Sequence, residues 1–141
     1  EVYEIGLTPN RTDAMSHYGV ARDLQAFLSN NGVKSEFEKI STAIVSTEGE
    51  HGFELEVEDS ALCPRYIGAI IENVKIAPSP AWLQDRLKAI GLSPINNVVD
   101  ITNYILHGLG QPLHAFDADK ISGKCLFFLI YFFILEVFYV E

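Results

Sequence analysis

Asn96-Asn97-Val98-Val99-Asp100-Ile101-Thr102-Asn103-Tyr104-Ile105-Leu106-His107-Gly108-Leu109-Gly110-Gln111-Pro112-Leu113-His114-Ala115-Phe116-Asp117 holds three patterns in succession. Val98, Ile101, Thr102, Ile105 and Leu109 recur at helical spacing, although β-branched residues, which stiffen a helix, are frequent among them. Asn96 or Asn97 can cap this helix by accepting from free backbone N–H groups. Gly110-Gln111-Pro112 then breaks the chain, and Leu113 to Asp119 reads as a loop dense in polar groups.

Upstream, Pro78-Ser79-Pro80 predicts a second helix, with Ser79 as its cap and Pro80 in its first turn. Leu83, Leu87 and Ile90 form its buried stripe, and Gly91 ends it. Arg65 to Ile76 carries apolar groups on both parities, the signature of a strand covered on both faces. Phe53, Leu55 and Val57 alternate with Glu54, Glu56 and Glu58, which predicts a half-buried strand with an acidic outer face. Residues 33–52 fit a weak helix or a strand equally. Thr8-Pro9-Asn10-Arg11 reads as a turn. It precedes a helix capped by Asp13, with Val20, Leu24, Phe27 and Leu28 on one face and Asn31-Gly32 as its stop. Strands interleaved with helices, without a simple repeat, predict an α+β fold with an antiparallel or mixed sheet.

The 141 residues suffice for one core of ordinary size and are too few for two full domains. Hydrophobic residues make up 48% of the chain, which excludes disorder. The net charge of −9 is uneven: residues 1–59 hold 4 basic and 12 acidic side chains, residues 60–124 hold 6 and 5. So acidic a chain is a poor unaided binder of nucleic acid, whose backbone is gripped by Lys and Arg. Cys63 and Cys125 make neither a disulfide framework nor a zinc site, and a reducing, cytoplasmic setting follows. No signal peptide heads the chain. It starts at Glu1, mid-pattern, which is the expectation for a piece of a longer protein.

No Gly-rich phosphate loop, nucleophile elbow or metal-ligand spacing is present, and no metal or cofactor is expected in this chain. The densest polar cluster is Asp100, Thr102, Asn103, Gln111, His114, Asp117 and Asp119. Amides can hold a ligand carbonyl or hydroxyl, and an imidazole can orient water or take a proton. Spacing alone favours a plainer reading, a capped loop with a surface His114–Asp117 contact. His107, His114 and Asp117 lack a defined metal geometry. His17 reads as a satisfied structural histidine, Arg11 as a holder of carbonyls or a carboxylate more than of phosphate, and Trp82 as core more than as a stacking platform for a base.

Three runs together resemble a known family. They are Leu7-Thr8-Pro9-Asn10-Arg11-Thr12-Asp13 with Gly19-Val20-Ala21-Arg22-Asp23-Leu24; Cys63-Pro64-Arg65-Tyr66-Ile67-Gly68 with the Pro78-Ser79-Pro80 helix and Trp82-Leu83; and Asn97 through Leu106 continuing from Gly108 to Asp117. In order and spacing they resemble the β subunit of bacterial phenylalanyl-tRNA synthetase over about residues 1–124. The resemblance implies three parts. Residues 1–40 would end an N-terminal domain, residues 41–124 would begin an editing domain, and residues 125–141 match nothing in the family.

The resemblance also implies partners and a chemistry. The β subunit pairs with an α subunit that holds the aminoacylation site, two such pairs form the enzyme, and ATP, Mg²⁺ and tRNA(Phe) belong to that parent. The editing domain hydrolyses tyrosine wrongly attached to tRNA(Phe). Carried over residue by residue, Thr102, Asn103, Gln111, Pro112 and His114 match positions lining the editing pocket. His114 and Asn103 would place the ester carbonyl and a water, Gln111-Pro112 would shape the wall, and Thr102 would contact substrate. A different class of function, a non-catalytic module contacting tRNA or the α subunit, stands as the alternative.

The last 17 residues depart from this pattern: 15 are apolar and 7 are aromatic. Their ten-residue apolar run is short for a membrane span of about 20, and no membrane association is expected. A strand pair would lack a turn signal. A reading-frame or cloning error explains the abrupt break best, and the wall of the pocket that the family builds further along is then missing. An isolated piece of this kind is expected neither to edit nor to aminoacylate.

Overall fold

The computed structural model describes residues 1–36, 38, 54–57, 59–61, 63, 66–121, 125–128 and 135–139. In chain order they form helix α1 (His17–Asn30), strands β1 (Glu54–Val57) and β2 (Ile67–Ile71), helices α2 (Ala81–Ala89) and α3 (Asn97–Leu109), and strands β3 (Leu113–Asp117), β4 (Cys125–Phe128) and β5 (Leu135–Tyr139). The fold is α+β, as the sequence predicts. Two sheets are present among the described residues, β1-β4 and β2-β5-β3.

All three strand pairs are parallel, where an antiparallel or mixed sheet was expected. The reason is topological. Each pair is separated by a long stretch of chain, and parallel strands need a crossover of a dozen or more residues. In the larger sheet β5 lies between β2 and β3, with Glu136 in register with both Gly68 and His114. The described parts of the apolar tail are therefore strands, but they pair with β1 and with β2 and β3 instead of with each other. The undecided stretch 33–52 lies outside the described residues beyond Glu36, apart from Glu38.

The helices follow the sequence in extent but not always in their caps. Asn96 caps α3 by accepting from the Val99 N–H at 3.0 Å, and Gly110 closes it in the left-handed region at φ 79°. For α1 the cap is Ser16, whose Oγ accepts from Gly19 N–H at 2.9 Å. Asp13 instead sits in a 3-10 turn (Thr12–Ala14), with its carboxylate taken by Arg11 and Arg22 at 3.0 and 2.6 Å. For α2 no side chain caps the helix; Pro80 holds the cap position, and the Ser79 hydroxyl is used elsewhere.

Burial departs from expectation in three places. Leu83 and Leu87 are fully buried, but Leu24 and Phe27 of α1 are 54% and 63% exposed, so that helix's apolar stripe is open. Ile67 and Ile71 of β2 are exposed, so this strand is not covered on both faces. Trp82 is 54% exposed and is not a core residue.

The strongest ties around α3 are polar. Asp100, fully buried, accepts from Ser79 Oγ at 2.5 Å and from Ile95 N–H at 2.8 Å. Asn97 pairs with the segment leading out of β2: its N–H donates to Ala77 O, its Oδ1 accepts from Ala77 N–H, and its Nδ2 donates to Lys75 O. These bonds fasten the start of α3 to both preceding connections, and α3 is the element that carries Thr102 and Asn103.

Candidate functional site

Of the five predicted site residues, two lie on α3, two in the connection and one on β3. Thr102 and Asn103 are half-buried in the second turn of α3. The Thr102 hydroxyl donates back to Val99 O at 2.8 Å, a bond within its own helix. The Asn103 amide makes no hydrogen bond to another described residue. Gly110, with its positive φ, turns the chain out of α3 into Gln111-Pro112, where the Gln111 amide donates to Pro112 O at 3.1 Å. Two residues later the chain enters β3, so the sharp break delivers His114 to a strand against which α3 packs.

Leu113 to Asp117 is a strand, not the loop expected. Its burial alternates, with Leu113, Ala115 and Asp117 half-buried and His114 and Phe116 exposed. His114 and Phe116 share a face, their rings 6.5 Å apart between centroids. His114 and Asp117 fall on opposite faces, which rules out the surface His–Asp contact. Asp117 pairs instead with Lys120 at 2.6 Å and accepts from Asp119 N–H. The Lys120 hydrogen bond, against some desolvation, holds its carboxyl below the usual carboxylate range. His114 is thus a strand-borne, solvent-facing imidazole whose one ring contact among the described residues is Phe116.

The remaining candidates resolve simply. His17 Nδ1 donates to His107 O at 2.8 Å and joins α1 to the end of α3, a structural role. Arg11 holds Asp13 and Asp23 and is consistent with the carboxylate reading. Among the described residues no group of three or more His, Cys, Asp or Glu side chains is placed to hold a metal. No described helix is long and apolar enough to cross a membrane.

A cleft of about 1000 Å³ opens between the N-terminal segment, α1, α2 and α3, lined by Met15, Val20, Leu24, Leu87, Ile90 and Tyr104 among others. A second of about 430 Å³ lies between α1 and α3. Neither is lined by any of Thr102, Asn103, Gln111, Pro112 and His114. Sequence reasoning did not find the larger cleft. Its signal is the α1 stripe of Val20 and Leu24, which lines the cleft.

Comparison with known proteins bears on which of these features carries function. A family model described as B3/4 domain matches residues 62–127, a range that contains all five predicted site residues. The Phenylalanine--tRNA ligase beta subunit of Bacteroides fragilis is 53% identical over 124 residues, covering 86% of this chain and 15% of that protein. Over most of its length the chain is similar to phenylalanine–tRNA ligase beta subunits. The same-named subunit of Porphyromonas gingivalis is 52% identical over 120 residues, or 85% of this chain and 15% of that one. That of Fusobacterium nucleatum is 44% identical over 123 residues, with 87% and 15% covered. The chain thus spans about 15% of the length of these ligase subunits, and the resemblance seen in its motifs extends over most of it.

Proposed function

We propose that this chain contributes to hydrolytic editing of tyrosine mischarged on tRNA(Phe), as part of a phenylalanine–tRNA ligase beta subunit. Residues 41–124 then form the first part of the editing domain and residues 1–40 the end of the domain before it. The parent enzyme charges tRNA(Phe) with phenylalanine, consuming ATP with Mg²⁺, in company with an α subunit. Among the described residues no group of three or more His, Cys, Asp or Glu is placed to hold a metal, and the sequence has no phosphate loop. The reading places those groups in other parts of the parent, and the residues of this segment act without them.

The need for editing is energetic. A pocket built for phenylalanine rejects a substrate that adds one hydroxyl only about a hundredfold, whereas a second site that hydrogen-bonds that hydroxyl discriminates far better. The observation that carries the reading is that Asn103 and His114, both inside the matched residues 62–127, each have a side chain open to a ligand. One has an amide without a hydrogen-bond partner among the described residues, the other a solvent-facing imidazole, and they lie on two packed elements joined by the Gly110–Pro112 break. An amide in that state can hold an ester carbonyl, and an imidazole reaching the same ester would orient the attacking water and accept its proton. Gln111, Pro112 and Thr102 flank them. In an α–β enzyme carrying this segment, His114→Ala should let Tyr-tRNA(Phe) accumulate during charging with tyrosine while charging with phenylalanine is unchanged. No accumulation would refute the assignment.

A non-catalytic module contacting tRNA or the α subunit is the second reading. The specific observation in its favour is that neither of the two clefts described above is lined by the five residues.

A further inference from the structure

Trp82, Arg86 and Tyr104 form a cluster that the editing reading leaves unused. Trp82 and Arg86 stand one turn apart on α2, and Tyr104 faces them from α3. The Trp82 and Tyr104 rings meet edge to face, with centroids 5.7 Å apart and planes at 83°. The Arg86 guanidinium carbon lies 5.8 Å from the Trp82 centroid and 5.9 Å from that of Tyr104, and Nη1 donates to the Tyr104 hydroxyl at 3.0 Å. Two rings thus fix the guanidinium in place, and Trp82 remains 54% exposed. A Trp buried as core would need no cation, and a free surface Arg would not be held by two rings and a hydroxyl.

We infer that this cluster is a stacking platform for an unpaired base of single-stranded RNA, with Arg86 donating to the adjoining phosphate. The chemistry favours RNA on three counts. An indole 54% exposed, with Arg86 over one side of its ring, can still offer its exposed surface to any base, because every base has a π-face. A guanidinium already braced by aromatic rings binds phosphate through its remaining N–H groups with little further loss of freedom. The local charge also differs from that of the chain as a whole. The last turn of α2 carries Arg86 and Lys88, and residues 60–124 hold six basic and five acidic side chains against the surplus of acids before them. Arg86 and Tyr104 also line the apolar cleft, where a protein partner would be met, whereas the exposed Trp82 lies outside its lining. The inference goes beyond the editing reading and does not use His114 or Asn103, so either can fail alone.

Trp82 is the single tryptophan of the chain, so its fluorescence reports the platform directly. Titrating the 141-residue chain with a single-stranded RNA hexamer of mixed sequence should quench that emission saturably. Raising the salt should weaken binding, and Arg86→Gln should both weaken it and flatten the salt dependence by the share of about one phosphate. With a labelled hexamer read by anisotropy, Trp82→Ala should lose roughly tenfold in affinity, the effect of one stacked base. Trp82→Phe, which keeps a ring in the same packing, should retain most of it. Three results would overturn the inference: no saturable quench, a quench indifferent to both salt and Arg86→Gln, or Trp82→Phe losing as much as Trp82→Ala in a folded protein.

Discussion

Replacing Ser79 with Ala tests the bond network that holds α2 and α3 together. In the native structure Asp100 is fully out of contact with solvent and has two donors, Ser79 Oγ at 2.5 Å and Ile95 N–H at 2.8 Å. Hydrogen bonds to a charged group contribute about 1.5–3 kcal/mol each, and a buried group left short of partners carries a desolvation penalty of similar size. Part of that penalty is offset because the lost hydroxyl was itself buried and no longer has to be dehydrated. Ser79→Ala should therefore destabilise the fold by about 2 kcal/mol. With a urea slope of about 2 kcal/mol/M for a domain of this size, the unfolding midpoint should fall by about 1 M. Asp100→Asn should cost less than Asp100→Ala. Its carbonyl still accepts from Ile95 and its NH₂ can donate to the Ser79 hydroxyl, whereas Ala leaves both donors unmet. Unfolding followed through the Trp82 emission gives all three numbers. A midpoint for Ser79→Ala within about 0.2 M of the parent would show that the Ser79–Asp100 contact does not hold the helices.

Three further outcomes follow from other parts of the structure. A Cβ on Gly19 would lie 2.3 Å from Asp13 O and 2.6 Å from Ala14 Cα, both backbone atoms that cannot swing away. Gly19→Ala should thus cost at least the roughly 1–3 kcal/mol of an overpacked site, read as a drop in thermal midpoint. The Asp13 carboxyl is held below the usual range, chiefly by its hydrogen bond from Arg11. Its contribution is therefore present above about pH 4 and lost as pH falls through its lowered value. Helical circular dichroism at acid pH should show that loss and show less of it in Asp13→Asn. Ending the chain after Phe128 removes β5, the central strand between β2 and β3. Amide protection over Ile67–Ile71 and Leu113–Asp117 should vanish, and unchanged protection would show that the tail is not part of the sheet.

What the sequence disclosed divides along the range of the interactions involved. α3 was legible because its cap, Asn96, and its stop, Gly110, are local chemistry with no competing use. Asp13 and Ser79 were misread as caps because each spends its oxygen on a partner that local pattern cannot show, Arg11 and Arg22 in one case and Asp100, 21 residues on, in the other. Leu113–Asp117 read as a loop because its strand partner lies in the tail, a segment that resembles nothing upstream. The parallel sense of the sheet is equally non-local. The site residues come from resemblance, and the structure adds what no motif carries: Thr102 and Gln111 donate to the carbonyls of Val99 and Pro112, while Asn103 makes no side-chain hydrogen bond to a described residue and His114 faces solvent.

In the editing reading Asn103 and His114 act together on a mischarged ester. Its most direct test is the rate at which an α–β enzyme carrying this segment releases tyrosine from purified Tyr-tRNA(Phe), with Asn103→Ala, His114→Ala and the double variant compared. Each single variant should lose most of the activity and the double little more, as expected for groups serving one transition state. Release at the parent rate in the double variant, with phenylalanine charging intact, would contradict it.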